Sequence, residues 1–204
     1  MLVADADRIE LAEGAGRHVS RGALKRAAAL DAYSLSPMDR IALDIGASIG
    51  GFAQLLLERG AQRVYTVDVG QGQLHARLRD VRRVVVLERR DARALTAADI
   101  PEPVSAVTAD LRFISLTLVP PHVLTFAMPG AWLVALAKPQ FEARREAVRV
   151  GGIVRNAAGR ARAAVRVRGR IAGQPGWSVT GEMVSPITGQ DGNEEWLLAA
   201  QKAV

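Results

Sequence analysis

One short stretch restricts the possible folds of this chain more than any other. An apolar run from Ile41 to Ile45 stops at small residues, Gly46 to Gly51, and apolar side chains then resume at helical spacing with Phe52, Leu55 and Leu56. A buried strand that turns sharply into a helix reads this way, because glycine lets the backbone make the turn and come close to a ligand. The stretch 43 to 52 is therefore a candidate nucleotide cradle. Glycine also punctuates every α/β protein, so the loop alone does not decide between a binding site and a plain connection.

A second strand, 63 to 69, carries Asp68 about 20 residues beyond the loop, where an acidic side chain can accept hydrogen bonds from both ribose hydroxyls of an adenosine-type ligand. The glycine spacing is G-x-x-x-G-G, whereas a dinucleotide site uses G-x-G-x-x-G to bring a pyrophosphate onto a helix N-terminus. Asp44, at the end of the first strand, would repel a pyrophosphate and suits a cation such as the sulfonium of S-adenosylmethionine. Methyl donation becomes the leading expectation, with a dinucleotide-dependent oxidoreductase behind it.

The rest of the chain continues the alternation. Expected elements are a helix from a Ser20 cap through Ala32, strands 40 to 45, 63 to 69, 84 to 87, 104 to 109 and 131 to 137, a helix at 73 to 79, and a helix bounded by Pro120-Pro121 and Pro129-Gly130. A helix at 155 to 170 and strands 177 to 184 and 194 to 200 follow. This rhythm predicts an α/β fold with a largely parallel sheet and ligands at the strands' carboxyl ends. If the last two strands form a hairpin, the seventh runs antiparallel and begins at the rim where the others end.

That geometry selects the chemistry-bearing side chains. Lys138 ends the buried fifth strand, where an ammonium is costly unless a carboxylate pairs with it. Asp110 ends the fourth strand, and Glu195 would start the seventh near both. Lys25 lies in the first helix, where composition alone makes it a solvated lysine. Asp91 follows the third strand, placed to reach a base edge or to cap a turn.

With 204 residues, one α/β domain with a proper core is expected. There is no cysteine, so no disulfide framework, thiolate chemistry or metal is expected. No apolar run approaches the roughly 20 residues that span a bilayer, and acids stand where a signal peptide needs basic residues, so a cytoplasmic location is expected. The net charge of +6, carried mostly by arginine, is compatible with nucleic acid and equally with a general arginine bias. The arginines of segment 155 to 170 share no clean face.

The segments VSRGALK (19 to 25), LDIGASIGGF (43 to 52), VYTVDVGQGQL (64 to 74), FISL (113 to 116), KPQFE (138 to 142), GGIVR (151 to 155) and SPITGQDGNEEW (185 to 196) resemble the TlyA, or hemolysin A, family of FtsJ-like ribosomal RNA 2′-O-methyltransferases. The resemblance implies a class I S-adenosylmethionine-dependent, Rossmann-like fold with a seven-stranded, mostly parallel sheet whose last strand is antiparallel. It implies a Lys-Asp-Lys-Glu tetrad at Lys25, Asp110, Lys138 and Glu195. It implies S-adenosylmethionine held by Asp44, Gly46, Ala47, Ser48, Gly50, Gly51 and Phe52, with Asp68 on the ribose and Asp91 near the adenine. Ribosomal RNA or ribosomal subunits are the implied partners, and cytidine 2′-hydroxyls the implied targets.

Residues 18 to 204 would form the methyltransferase domain, and 1 to 17 an extension or the remnant of the family's usual N-terminal S4-type RNA-binding domain. Arg112 and Glu194 depart from the family's residue types without removing a tetrad member. A lysine with an ordinary pKa of about 10.4 serves as base only where burial or a nearby cation favours the amine. The implied arrangement has Lys138 accept the proton, Lys25 contact the reactive oxygen, Asp110 position Lys138 and Glu195 orient Lys25. A non-catalytic RNA-binding or ribosome-assembly protein on the same fold is the alternative, and a membrane-lytic role has the least support.

Overall fold

The computed structural model describes residues 22–143, 153–154, 156–189 and 192–204. The expected Ser20 cap, the N-terminal segment and the basic loop from 144 lie outside the described residues, apart from Ile153 at the end of that loop.

The chain order is α1 (Gly22–Ala32), β1 (Ile41–Ile45), α2 (Gly51–Glu58), β2 (Arg63–Asp68), α3 (Ala76–Arg79), β3 (Val84–Glu88), β4 (Val104–Ala109), α4 (Pro120–Val123), β5 (Ala127–Ala137), α5 (Pro139–Glu142), α6 (Ala157–Ala172), β6 (Trp177–Val184) and β7 (Trp196–Lys202). The seven strands form one sheet in the order β3-β2-β1-β4-β5-β7-β6, with parallel pairing except at β7, which is antiparallel to both neighbours. Strand order reverses at the β1–β4 boundary, where open α/β sheets bind their ligands. Asp44 pairs with Thr108 and Ile45 with Ala109, so the loop after β1 and Asp110 after β4 leave the sheet side by side.

Alternating side chains feed two cores. Leu43, Ile45, Val107, Ala109, Leu133 and Ala135 pack with Val167 and Ile171 of α6. Ala42, Val64, Ala106, Trp132 and Val134 pack on the other face with Ala29 and Leu30 of α1 and with Phe52, Leu55 and Leu56 of α2.

Several expected bounds shift, each for a local reason. The region read as one helix between Pro120 and Pro129 is the single turn of α4 followed by a 3-10 turn at Leu124–Phe126, and another 3-10 turn, Leu116–Leu118, precedes it. Pro129 and Gly130 lie inside β5 instead, which is 11 residues long. The pairing with β4 slips between Val104 and Ala106, and such an irregularity accommodates a proline that cannot donate to the ladder. The helix expected from Gln73 is only Ala76–Arg79, capped by the His75 ring. The helix expected from Arg155 starts at Ala157, where the Asn156 side chain accepts the Ala158 N–H at 2.9 Å. The last strand starts at Trp196, so Glu195 precedes the first paired residue.

Candidate active site

The turn after β1 is built as its residue types require. Gly46 has φ +76°, and a side chain there would run into the Asp110 carbonyl, so the two strand ends approach closely only because position 46 is glycine. The Gly46 and Ala47 N–H groups both donate to the Val67 carbonyl, at 2.8 and 3.1 Å. Ser48, also left-handed at φ 48°, donates its N–H to Asp68 Oδ2 at 2.8 Å, while Asp68 Oδ1 accepts the Gly70 N–H at 2.8 Å. Asp68 thus fastens β2 to the loop and still has a lone pair free on each oxygen.

Two cavities adjoin at this loop. The larger, about 410 Å³, extends over the end of β2 and is lined by Val67, Asp68, Asp91, Ala92, Leu111 and Ile114 among others. The smaller, about 310 Å³, is lined by Lys25, Arg26, Ala47, Gly51, Lys138 and Glu195 among others. Gly46, Ser48, Asp110 and Arg112 border both.

The four proposed tetrad residues meet around the smaller cavity. Lys25 Nζ lies 2.7 Å from Glu195 Oε2, and Lys138 Nζ is ion-paired with Asp110 Oδ1. The fold thus overrides composition at Lys25, which is 9% exposed. Burial pushes the Asp110 carboxyl upward, but Arg26, Lys138 and Lys25 outweigh it and hold it below the ordinary value.

The loop residues divide. Gly46, Ala47, Ser48 and Gly51 face the cavities, whereas Phe52 is a core side chain and Gly50 starts α2 with φ 96°. Asp44 lines neither cavity. It is fully enclosed beneath the loop, with Oδ1 accepting from Thr108 at 2.8 Å. Burial, opposed by Arg26 and Thr108, pushes its carboxyl up to about 6. A direct ligand contact through Asp44 is therefore not what this geometry offers; its charge acts from below. Asp91 sits at the edge of the larger cavity and caps the 3-10 turn Ala92–Ala94, accepting the Arg93 N–H at 2.9 Å and pairing with the Arg93 guanidinium. Hydrogen bonds from the Arg93 side chain and backbone lower the Asp91 carboxyl to about 2.

A family model described as FtsJ-like methyltransferase matches residues 18–202. The chain belongs to the FtsJ-like methyltransferase family. Among its relatives, the 16S/23S rRNA (cytidine-2′-O)-methyltransferase TlyA of Mycobacterium tuberculosis is 47% identical over 180 residues, which are 88% of this chain and 67% of that protein. Hemolysin A of Brachyspira hyodysenteriae is 36% identical across 96% of this chain and 81% of its own length. A solved structure from Lactococcus lactis that carries the hemolysin name superposes with a TM-score of 0.88 at 39% identity, covering 92% of this chain and 89% of that one. Magnesium protoporphyrin IX methyltransferase of Synechocystis, solved with bound S-adenosylmethionine, is 15% identical with a TM-score of 0.60 over 90% of this chain and 79% of its own, a likeness of fold. The hemolysin name has no counterpart in a spanning helix: among the described residues no helix is long and apolar enough to cross a membrane.

Within the family frame, one residue of the site escaped the sequence reading. Arg26 is 4% exposed, donates from Nη2 to Asp110 Oδ2 and stacks its guanidinium 3.7 Å from the Phe52 ring centroid. An arginine in an alanine-rich helix reads as solvated. In the structure Leu24 is half-exposed while Lys25 and Arg26 beside it are buried, which no local pattern shows. The apolar face of α1 is therefore interrupted where the site begins.

Proposed function

We propose that this chain transfers a methyl group from S-adenosylmethionine to a ribose 2′-hydroxyl of ribosomal RNA, that of a cytidine. The observation that carries the reading is the meeting of the Lys25–Glu195 and Lys138–Asp110 pairs at a cavity that shares its border with the Asp68 cavity. The names of the relatives supply the substrate class, and this chain matches 67% of the length of the mycobacterial protein. On this reading residues 18 to 204 act as the methyltransferase domain, and a ribosomal RNA substrate supports a cytoplasmic activity.

The residues present fit the cofactor. Asp68 keeps acceptor capacity for ribose hydroxyls, Val67, Ala92, Leu111 and Ile114 offer an apolar bed for an adenine, and the buried Asp44 charge favours a cation over the loop. When bound, S-adenosylmethionine supplies an electrophilic methyl carbon. Asp110 orients Lys138, which in its amine form accepts the hydroxyl proton. Glu195 orients Lys25, whose ammonium donates to the reactive oxygen and stabilises the charge that develops there. The low exposure of these groups keeps competing water away and strengthens their interactions. In-line placement of the hydroxyl against the methyl carbon supplies much of the rate.

Tritiated methyl transfer to isolated ribosomal subunits, followed by mapping of the labelled nucleotide, tests the reading. Label at a cytidine 2′-oxygen is expected. Binding of S-adenosylmethionine by calorimetry, with no label entering either subunit or free ribosomal RNA, overturns it in favour of a non-catalytic role.

A further inference from the structure

Arg26 has no part in the mechanism above, yet it is only 4% exposed. A guanidinium stays charged at any working pH, and enclosing it is costly unless its donors are used. Here Nη2 is used on Asp110, the ring face of Phe52 covers the guanidinium, and no partner for the buried Nε is found among the described residues. Five other ionisable groups belong to the same cluster: Asp44 at the end of β1, Asp110 after β4, Lys138 after β5, Lys25 on α1 and Glu195 before β7.

The two oxygens of Asp110 are divided between two cations. Arg26 takes Oδ2 and Lys138 is paired with Oδ1. A carboxylate held by one flexible lysine can still rotate about its terminal bond, whose preference is broad. A second, planar cation on the other oxygen removes that freedom. Phe52 stands in the first turn of α2, directly after the glycine loop, so the clamp also ties the donor loop to the lysine that faces the acceptor.

We propose that Arg26 is a positioning residue for methyl transfer, a fixed cation that clamps Asp110 from the Phe52 side so that Asp110 holds Lys138 in one place. The role rests on the methyl-transfer reading, but its first test needs no turnover. Arg26 exerts the largest single charge attraction opposing burial at both Asp110 and Asp44, so its removal moves both carboxyls upward.

Carboxyl carbons of ¹³C-aspartate-labelled protein are titrated by NMR in the wild type and in Arg26→Leu, Arg26→Gln and Arg26→Lys. The Asp110 inflection rises by at least about one pH unit in the Leu and Gln variants and stays within about half a unit of wild type in the Lys variant. In parallel, the acidic limb of the transfer rate against pH moves up in the Leu and Gln variants, the Lys variant restores it, and at alkaline pH, where Asp44 is ionised in every variant, the dissociation constant for S-adenosylmethionine changes by less than about threefold. An Asp110 inflection in Arg26→Gln identical to wild type overturns the proposal. So does a rate loss that is uniform across pH and unrelieved in Arg26→Lys, the mark of a merely structural residue. If the wild type transfers no methyl group, the reading of the reaction fails while the titration still decides the clamp.

Discussion

The Lys25 ammonium meets the Glu195 carboxylate at 2.7 Å although 170 positions separate the two residues. The pair closes the site across α1 and the start of β7, and it exists because β7 alone runs backwards in the sheet, which returns its first residue to the rim where β4 and β5 end. Removing one member of a buried pair leaves the other uncompensated, at a cost of about 3 to 5 kcal/mol. Glu195→Ala is accordingly expected to lower stability by about that amount in urea unfolding and to cut transfer by about 100-fold or more, whereas Glu195→Gln keeps a hydrogen bond and most of the stability. Equal losses of stability in the two variants would show that the charge of Glu195, not its hydrogen bond, carries the stabilisation. Gly189→Ala offers a milder test, since the added methyl carbon would lie 2.6 Å from Glu195 Oε1 and displace the carboxylate without removing it.

Lys138→Ala should abolish transfer while sparing both fold and donor binding. The usual objection, that deleting one partner strands the other, is met here by Arg26, which still pairs with Asp110. Calorimetry with S-adenosylmethionine is expected to give a dissociation constant within a few-fold of wild type, with transfer below about one part in 10³ if the residue is the base. Near-normal transfer to ribosomal RNA would remove Lys138 from that role.

Asp68→Ala acts on the other cavity. It deletes the acceptor of the Ser48 and Gly70 N–H groups as well as the proposed ribose acceptor. Loss of bonds to a charged acceptor, at about 1.5 to 3 kcal/mol, predicts donor binding weaker by about 10- to 150-fold. Saturating donor should recover much of the transfer rate, because Lys25, Lys138 and Glu195 line only the other cavity; failure to recover would place Asp68 in the chemical step instead.

What could be seen in the sequence was what local pattern encodes. The strand-to-helix turn at Gly46 to Gly51, the acid ending β2 and the lysine ending β5 all follow from periodicity and chain chemistry. Strands 104–109 and 177–184 were placed at their observed bounds for the same reason. The misplaced pieces depend on partners distant in sequence. Pro129 reads as a stop, yet the shifted pairing of Val104 with Ala127 draws it into β5. Arg26 reads as solvent-facing, because nothing local shows that Phe52 and Asp110 will surround it. Asp44 was read as a loop carboxylate that would meet a cationic ligand; its full enclosure, beside Thr108 of β4, depends on pairing that no local pattern shows.

That enclosure gives Asp44 a signature in pH. Its carboxyl moves from an ordinary 3.8 to about 6 in the folded chain, chiefly through burial. The folded state therefore binds this proton more tightly than the unfolded state does. Stability contributed by the group is present below the lower value and falls as pH rises through the window from about 4 to about 6, by at most about 3 kcal/mol. Asp44→Asn cannot titrate, so its stability relative to wild type should improve by up to that amount between pH 4 and pH 7.5 in paired urea unfolding curves. The same proton governs attraction of a cationic ligand from beneath the loop, since only the ionised carboxylate attracts it. S-adenosylmethionine binding to the wild type should tighten as pH rises through about 6, and the variant should lose that trend. Parallel stability curves for the two proteins would mean that Asp44 carries no proton in this window, and the pH trend in binding would then need another source.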